Sequence, residues 1–483
     1  MSSYNEISAK LEIKKHKREG KNMKVNWKER LGLQKRSTAV NLTEGPIAKS
    51  ILMFAMPLLI GQILQQFYNL ADAWVIGNFA DNNAFAAVSS AGSMIFLIVG
   101  LFNGIAMGGG VIISKYFGAK EEQNVIRAIH TDFLFGLVAS ALATTIGLIA
   151  VPHILVLMNT PADVLPNSLS YFRIYFAGVS TIIMYNICMG IMRALGDSVR
   201  PLYYLMISTI TNVVLDLLFV AVFDWGVAGA ATATVMAQGL SVVLCIVRMC
   251  RLTDYTRLDF RQFRFDKEIM GEILRQGLPS GIQNSVTSIG NLTVQANINS
   301  FGAFAMAGMG AFTKIEGFAF LPITCMSMSL PTFISQNLGA KEYGRAKKGA
   351  AFGIAFSVIV AEILGVLIYM NGPALLRIFV DTEESVLYGT THTRILAFFF
   401  FLLALTHCCA GVLRGCGKAF IPMITMLSFW CGVRVVYVTL ILKVIPEFRM
   451  ISWAYPLTWT LSSVVLLTIL LRMDWTKAFQ KKA

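Results

Sequence analysis

Twelve apolar runs, each about as long as a membrane-crossing helix, constrain this chain more than any other feature. They occupy residues 50–74, 86–112, 128–151, 168–192, 201–222, 227–248, 274–298, 305–331, 349–371, 393–413, 420–443 and 451–472. A helix needs about 20 apolar residues to cross the hydrocarbon core. Backbone in lipid must satisfy its own hydrogen bonds, which leaves helices or closed barrels. The chain has 39 glycines, most of them within or beside long apolar runs, a pattern unlike the alternating strands of about ten residues in an outer-membrane barrel. The expected fold is therefore an all-α membrane protein. Only 14% of residues are charged, against roughly 25% in soluble domains. A soluble enzyme, a disulfide scaffold and a disordered chain are all excluded.

The distribution of Lys and Arg sets the orientation. Only Arg377, Arg394, Lys443 and Arg449 fall in the loops after odd-numbered spans, and Arg173, Lys314 and Arg434 fall within spans. All other basic residues lie in the two tails or in the loops after even-numbered spans. The positive-inside rule then places both termini in the cytoplasm. The net charge of +14 is a topology signal and implies no nucleic-acid partner. The basic tail (Lys14, Lys15, Lys17, Arg18, Lys21, Lys24) implies at most contact with anionic lipid. The expected division is a tail at 1–45, a first lobe at 46–250, an inter-lobe loop at 251–272, a second lobe at 273–472 and a tail at 473–483.

All eight cysteines (Cys188, Cys245, Cys250, Cys325, Cys408, Cys409, Cys416, Cys431) sit in or beside apolar runs without a CxxC pair. They read as small apolar residues, with no disulfide or metal role. The first apolar run follows a basic lead too long for a signal peptide, so it is expected to remain as an anchor. The chain contains no HExxH, no GxxxxGK[ST] and no GxSxG, and its five histidines are scattered. No enzyme activity, metal or cofactor is therefore expected.

The chain also resembles itself at an offset of 221–222 residues. Ala55-Met56-Pro57 recurs as Gly277-Leu278-Pro279, and Asn69 as Asn291. Ser114 to Glu121 recurs as Ser335 to Glu342, and Arg193-Ala194-Leu195-Gly196 as Arg414-Gly415-Cys416-Gly417. Each half carries six spans. An even number makes the repeats parallel, related by a pseudo-two-fold axis along the membrane normal, an arrangement found in secondary transporters.

These residues resemble the MATE family of multidrug and toxic compound extrusion transporters from about Asn41 to Arg472. The resemblance is carried by Asn41-Leu42-Thr43-Glu44-Gly45-Pro46, Tyr68-Asn69-Leu70-Ala71-Asp72, Phe117-Gly118-Ala119-Lys120, Arg193-Ala194-Leu195-Gly196-Asp197, Asn212-Val213-Val214-Leu215-Asp216 and Gly226-Val227-Ala228-Gly229-Ala230-Ala231. It implies a bacterial inner membrane and is strongest to the DinF-type branch. That branch implies proton coupling through acidic residues in spans 1 and 5, which here are Asp72 and Asp216, hydrogen-bonded through Asn212 and Thr234. Asn186 in span 4 would complete the cluster. Pro57 falls where the family bends its first helix. The acidic residues of the sodium-coupled NorM-type branch, in spans 7 and 10, are absent here. Sodium stays open as the alternative coupling ion.

Charge within the spans leads independently to the same residues. A charged side chain at mid-membrane costs about 2.5–3.5 kcal/mol on insertion scales, so each one is a functional candidate. Asp216 lies about 12 Å short of the outer end of span 5, at 1.5 Å per residue. Asn212 is four residues earlier, on the same face. Asp72 lies near the outer end of span 1. The repeat counterparts of the two acids are Val294 and Tyr437, so the expected chemistry differs between lobes. Asp132 and Arg173 are placed to snorkel toward the interfaces. Lys314 and Glu316 point to different helix faces, and Glu316 either faces a central cavity or pairs with Arg434. Asn69, Asn291 and Tyr437 complete the substrate-cavity candidates. Glu362 has no evident partner. Pro57, Pro322 and Pro331 are expected to interrupt spans 1 and 8. Gly104, Gly108, Gly109 and Gly110 are expected to allow close helix packing.

Together these features predict a monomeric antiporter for small molecules. Ionised, Asp72 and Asp216 attract an organic cation. Protonated from outside, they release it, through differential affinity between two states. The 23 Met and 33 Phe residues suit an adaptable cavity. Arg434 and Lys314 favour instead an anionic or lipid-linked substrate, as in a flippase. A channel is a further alternative.

Overall fold

The computed structural model describes residues 40–79, 82–157, 163–252 and 254–479. These form twelve helical spans in two six-helix lobes, and among the described residues there is no strand. In the first lobe α1 is Ile47–Phe79, α2 Asn82–Gly118 and α3 Glu122–Leu157. Helix α4 has two parts, Leu165–Ala177 and Val179–Ala194; α5 is Val199–Asp216 continued by a π-helical turn over Leu217–Val222; α6 is Gly226–Cys250. In the second lobe α7 is Lys267–Asn299, α8 Ala303–Ala319 with Leu321–Gly339, and α9 Tyr343–Leu376. Helix α10 is Glu383–Ala397 with Phe400–Gly415; α11 is Phe420–Met426, a π-helical segment Leu427–Val433, and Arg434–Val444; α12 is Phe448–Arg472. Seven of these are single helices long and apolar enough to cross a bilayer, and the three two-part spans bring the number to ten. The other two, α2 and α7, pack on each other between the lobes.

The repeat is visible in the backbone itself. Lys120 (φ 57°) and Lys341 (φ 61°) both adopt left-handed conformations rare for non-glycine residues, and Gly196 (φ 86°) and Gly417 (φ 75°) form a second matched pair. Each pair sits at the same turn of its lobe. Unrelated six-helix bundles would not share two such turns.

The spans break where the sequence is least able to continue a helix, with one exception. Helix α4 bends by 44° at Gly178, and α8 bends by 45° with Pro322 in the first turn of its second part. Proline is tolerated at that position because its missing N–H has no intrahelical partner there. Pro331, by contrast, lies inside a continuous helix, so only one of the two expected interruptions of span 8 occurs. Helix α1 runs as one helix through Pro57 and is not among the spans bent by more than 40°. The exception is α10, which bends by 58° between Ala397 and Phe400, at no proline or glycine. Glu362 on α9 accepts a hydrogen bond from the Phe401 amide at this break. The carboxylate thus satisfies a donor that the interrupted helix leaves free, which gives Glu362 the role the sequence did not supply.

The glycine cluster of α2 serves three neighbours. A Cβ on Gly104 would lie 2.1 Å from the Gly281 nitrogen of α7, and one on Gly108 2.3 Å from the Gly277 nitrogen. The backbones of α2 and α7 therefore touch directly. Gly110 faces the Gly190 carbonyl of α4. Gly109 lies under the carboxylate of Asp132, whose oxygens would be 2.3 and 2.4 Å from an added Cβ. Asp132 is fully buried and neither oxygen has a hydrogen-bond partner. The expectation that Asp132 snorkels to the interface is thus corrected, because the glycine gives it room to stay inside. Arg173 is exposed, as expected of a snorkelling side chain.

At the end of the bundle that carries the basic loops, the lobes exchange their first turns. Ile51, Phe54 and Leu58 of α1 sit in the core of the second lobe, together with Leu42. Ile269, Met270 and Ile273 of α7 sit in the core of the first lobe. Arg345 and Asn337 of the second lobe donate to the Leu42 carbonyl (3.2 and 3.1 Å), and Gln336 Nε2 donates to the Ala194 carbonyl (2.7 Å). Lys115 Nζ pairs with Glu272 Oε2 at 3.1 Å, and the Tyr116 hydroxyl donates to the same oxygen. Phe479, beyond α12, packs against both lobes, with its ring on Gly417 and beneath Lys115.

Candidate functional site

Each lobe encloses a buried charged centre beside a widened helical turn, and the two have opposite charge. In the first lobe the centre lies between α1, α5 and α6. Asp216 and Asn212 are one turn apart on α5 and almost fully buried, and Thr234 of α6 is buried as well. Both side-chain amide atoms of Asn212 are without a hydrogen-bond partner, so the expected Asn212–Asp216 bond is not formed. Thr234 Oγ1 and the Tyr68 hydroxyl of α1 share a hydrogen bond at 3.2 Å, which ties α1 to the cluster. Asp216 is the last residue before the π-helical turn of α5. Wide turns of this kind frequently mark functional positions in helices. Asp72 follows Tyr68 by four residues on α1, on the same helix face; its side chain lies outside the described residues. Asn186 donates its amide to the Ile182 carbonyl of its own helix at 2.8 Å. Asn69 is exposed.

In the second lobe the centre is a cation. Arg434 is 1% exposed, and its Nε and Nη2 both donate to Thr458 Oγ1 of α12, at 3.3 and 2.9 Å. Its guanidinium lies 4.4 Å from the Tyr455 ring centre and 5.2 Å from that of Trp430. Aromatic faces offset part of the cost of burying the charge. Glu316 of α8 is close enough to feel this charge but forms no ion pair with it. The direct contacts of Arg434 are Thr458 and the two rings. Glu316 instead borders a pocket of about 220 Å³ between α8, α9 and α10, otherwise lined by apolar residues such as Ile323 and Leu403. Arg434 is the first residue after the π-helical segment of α11, so both lobes place their buried charge beside a widened turn. Lys314 is exposed, Asn291 is exposed and Tyr437 is half-buried. The structure thus gathers Tyr68, Asn212, Asp216 and Thr234 in one lobe. In the other it places Arg434 near Glu316, while Lys314, Asn69, Asn291 and Tyr437 stay outside both centres.

Sequence reasoning missed Thr458, Tyr455 and Trp430. Thr, Tyr and Trp are ordinary in apolar helices; Trp430 stands four residues before Arg434 on α11, a spacing that could have signalled it, whereas nothing local points to Thr458 and Tyr455 on α12. Tyr68 lay inside a quoted motif, but its bond to Thr234 joins positions 166 residues apart. Among the described residues no three His, Cys, Asp or Glu side chains converge as a metal site would require.

Comparison with known proteins follows the same two-lobe division. The MatE family profile matches residues 57–218 and again 279–439, once per repeat. The chain is 27% identical over 395 residues to the probable multidrug resistance protein YoeA of Bacillus subtilis, covering 80% of this chain and 85% of that one. It is 22% identical over 423 residues to the multidrug export protein MepA of Staphylococcus saprophyticus, covering 88% and 93%. Its fold superposes on the outward-facing conformation of a multidrug resistance MATE family transporter with a TM-score of 0.84, at 20% identity, over 90% of this chain and 98% of that one. With the profile matching well over half of its residues and recurring in the register of the internal repeat, the chain belongs to the MatE family.

Proposed function

We propose that the chain is a secondary active exporter of organic cations and other amphipathic small molecules. It works by alternating access and is driven by proton entry, as in the DinF-type branch. The observation that carries this reading is Asp216, buried one turn from Asn212 on α5, in the lobe where Thr234 of α6 bonds Tyr68 of α1. A carboxylate buried at this depth has a structural cost that a functional role accounts for. It offers one negative charge for which a cationic substrate and a proton compete. The multidrug names of YoeA and MepA support the substrate class. The basic end faces the cytoplasm by the positive-inside rule. On that reading the glycine contacts of α2 with α7 close the cytoplasmic side.

The buried Arg434 favours a second reading, export of an anionic or lipid-linked compound. Two of its five N–H donors are engaged by Thr458, and its faces are covered by Tyr455 and Trp430. That arrangement fits a structural cation better than a substrate ligand, so the first reading is preferred.

The test is uptake of a fluorescent organic cation into proteoliposomes under an imposed pH gradient, for wild type and Asp216→Asn. Gradient-driven uptake by wild type that disappears in a folded Asp216→Asn supports proton antiport through the first lobe. Equal uptake by both rejects the role of Asp216. Absence of wild-type uptake across several cations moves the substrate class toward anions.

A further inference from the structure

A small cavity of about 30 Å³ lies between α1, α4 and α5 in the basic-end half of the first lobe, apart from the Asp216 cluster. Its polar lining is unusual. The Tyr185 hydroxyl and Ser198 Oγ are buried, at 5% and 1% residue exposure, and neither has a hydrogen-bond partner. Arg193 joins them, with a buried Nε that likewise has none. No carboxylate lines the cavity. The nearest one in sequence, Asp197, is engaged by Arg200.

The second lobe shows what usually satisfies this arginine. The counterpart of Arg193 is Arg414, whose buried Nε is also without a partner but whose Nη2 donates to Gln283 Oε1 on α7 at 2.9 Å. In the register that aligns Pro57 with Pro279 and Asn69 with Asn291, the counterpart of Gln283 is Gly61. The first lobe therefore lacks that glutamine; Gln62 and Gln65 of α1 also line the space, and neither bonds Arg193 among the described residues. Buried polar groups are nearly always bonded, and three unbonded donors around one cation-lined space form a receptor for a negatively charged acceptor.

We infer that this cavity binds a small oxyanion, a phosphate or carboxylate group held by Arg193, Tyr185 and Ser198. Arg193 lies in the last turn of α4, at the level where spans meet the headgroup region. The group therefore comes either from a lipid headgroup or from a free anion. Arginine with hydroxyl donors matches the acceptor geometry of such a group. The proposal does not depend on Asp216 or on the coupling ion.

The test measures the melting temperature of the purified, detergent-solubilised full chain. One titration uses inorganic phosphate against chloride at equal ionic strength. The other uses a short-chain phosphatidylglycerol against the matching phosphatidylcholine. Wild type is expected to rise with the anion. Gly61→Gln restores the acceptor of the other lobe, since a Cβ there meets only Leu205 and Leu202 at 3.5 and 3.7 Å. It is expected to melt no lower than wild type without anion and to need at least tenfold more anion for the same rise. Tyr185→Phe is expected to weaken the response similarly and serves if Gly61→Gln does not fold. A rise with phosphate and phosphatidylglycerol alike identifies a free-oxyanion site, and a rise with phosphatidylglycerol alone a lipid headgroup site. No rise with either, or an unchanged rise in both variants, overturns the proposal.

Discussion

Gly104→Ala tests whether the α2–α7 contact seals the basic end. The added Cβ would lie 2.1 Å from the Gly281 nitrogen, whereas ordinary contact begins near 3.4 Å. The obstructing atoms are backbone, so the helices must separate by the difference, about 1.3 Å. Forcing a methyl into packed structure costs about 1–3 kcal/mol. If that cost falls only on the sealed arrangement, its population relative to the opened one drops between about fivefold and 150-fold. Spin labels at positions 120 and 341, the matched left-handed turns of the two lobes, report the separation. Electron–electron distance measurements in reconstituted protein are expected to show a longer, broader distribution in Gly104→Ala. Gly271→Ala is the control, since it lies on α7 with no atom within 4 Å of its would-be Cβ. It should leave the distribution unchanged. A Gly104→Ala distribution identical to wild type in a folded protein would refute the seal.

Three further outcomes follow from the packing. Thr458→Val removes the acceptor of both Arg434 donors and should cost about 1–3 kcal/mol. The double variant with Arg434→Met should recover much of that loss in thermal unfolding, since replacing a buried charge by an apolar side chain of similar volume is often neutral. Gly109→Ala should sharply reduce the yield of folded protein through its clash with Asp132, and Asp132→Ala in the same chain should restore it; size-exclusion profiles read both. Glu362→Gln keeps an acceptor for the Phe401 amide and should melt close to wild type. Glu362→Ala should lose about 0.5–2 kcal/mol, as helix caps do.

The spans and the repeat were legible because both rest on one-dimensional signals. Apolar length marks a crossing, and the glycine and lysine turns recur at a fixed offset. Orientation around a helix axis was less accessible. Asp132 has the sequence depth of a snorkelling residue, and only the glycine opposite it on α2 keeps it inside. The break of α10 carries no proline or glycine, so its capping partner Glu362 looked like a stray charge. Pro322 and Pro331 look alike in sequence, yet only the first coincides with a bend, because only it falls in a first helical turn. Of the two buried centres, the acidic one was readable, since Asn212 and Asp216 share a helix face. The cationic one pairs Arg434 with Trp430 four residues earlier on α11, but its acceptor Thr458 and its second ring Tyr455 come from α12, and no local pattern announces those.

The widened turns beside Asp216 and Arg434 have a mechanical consequence. A π-helical turn accommodates an extra residue within an otherwise α-helical rod. If that wide turn migrates a few positions along α5, the residues it passes advance by one place in the helical screw. Each swings about 100° around the axis, at 3.6 residues per turn, while both ends of the span stay anchored. A carboxylate at the edge of such a turn can therefore change the direction it faces without unfolding its helix or sliding it through the bilayer.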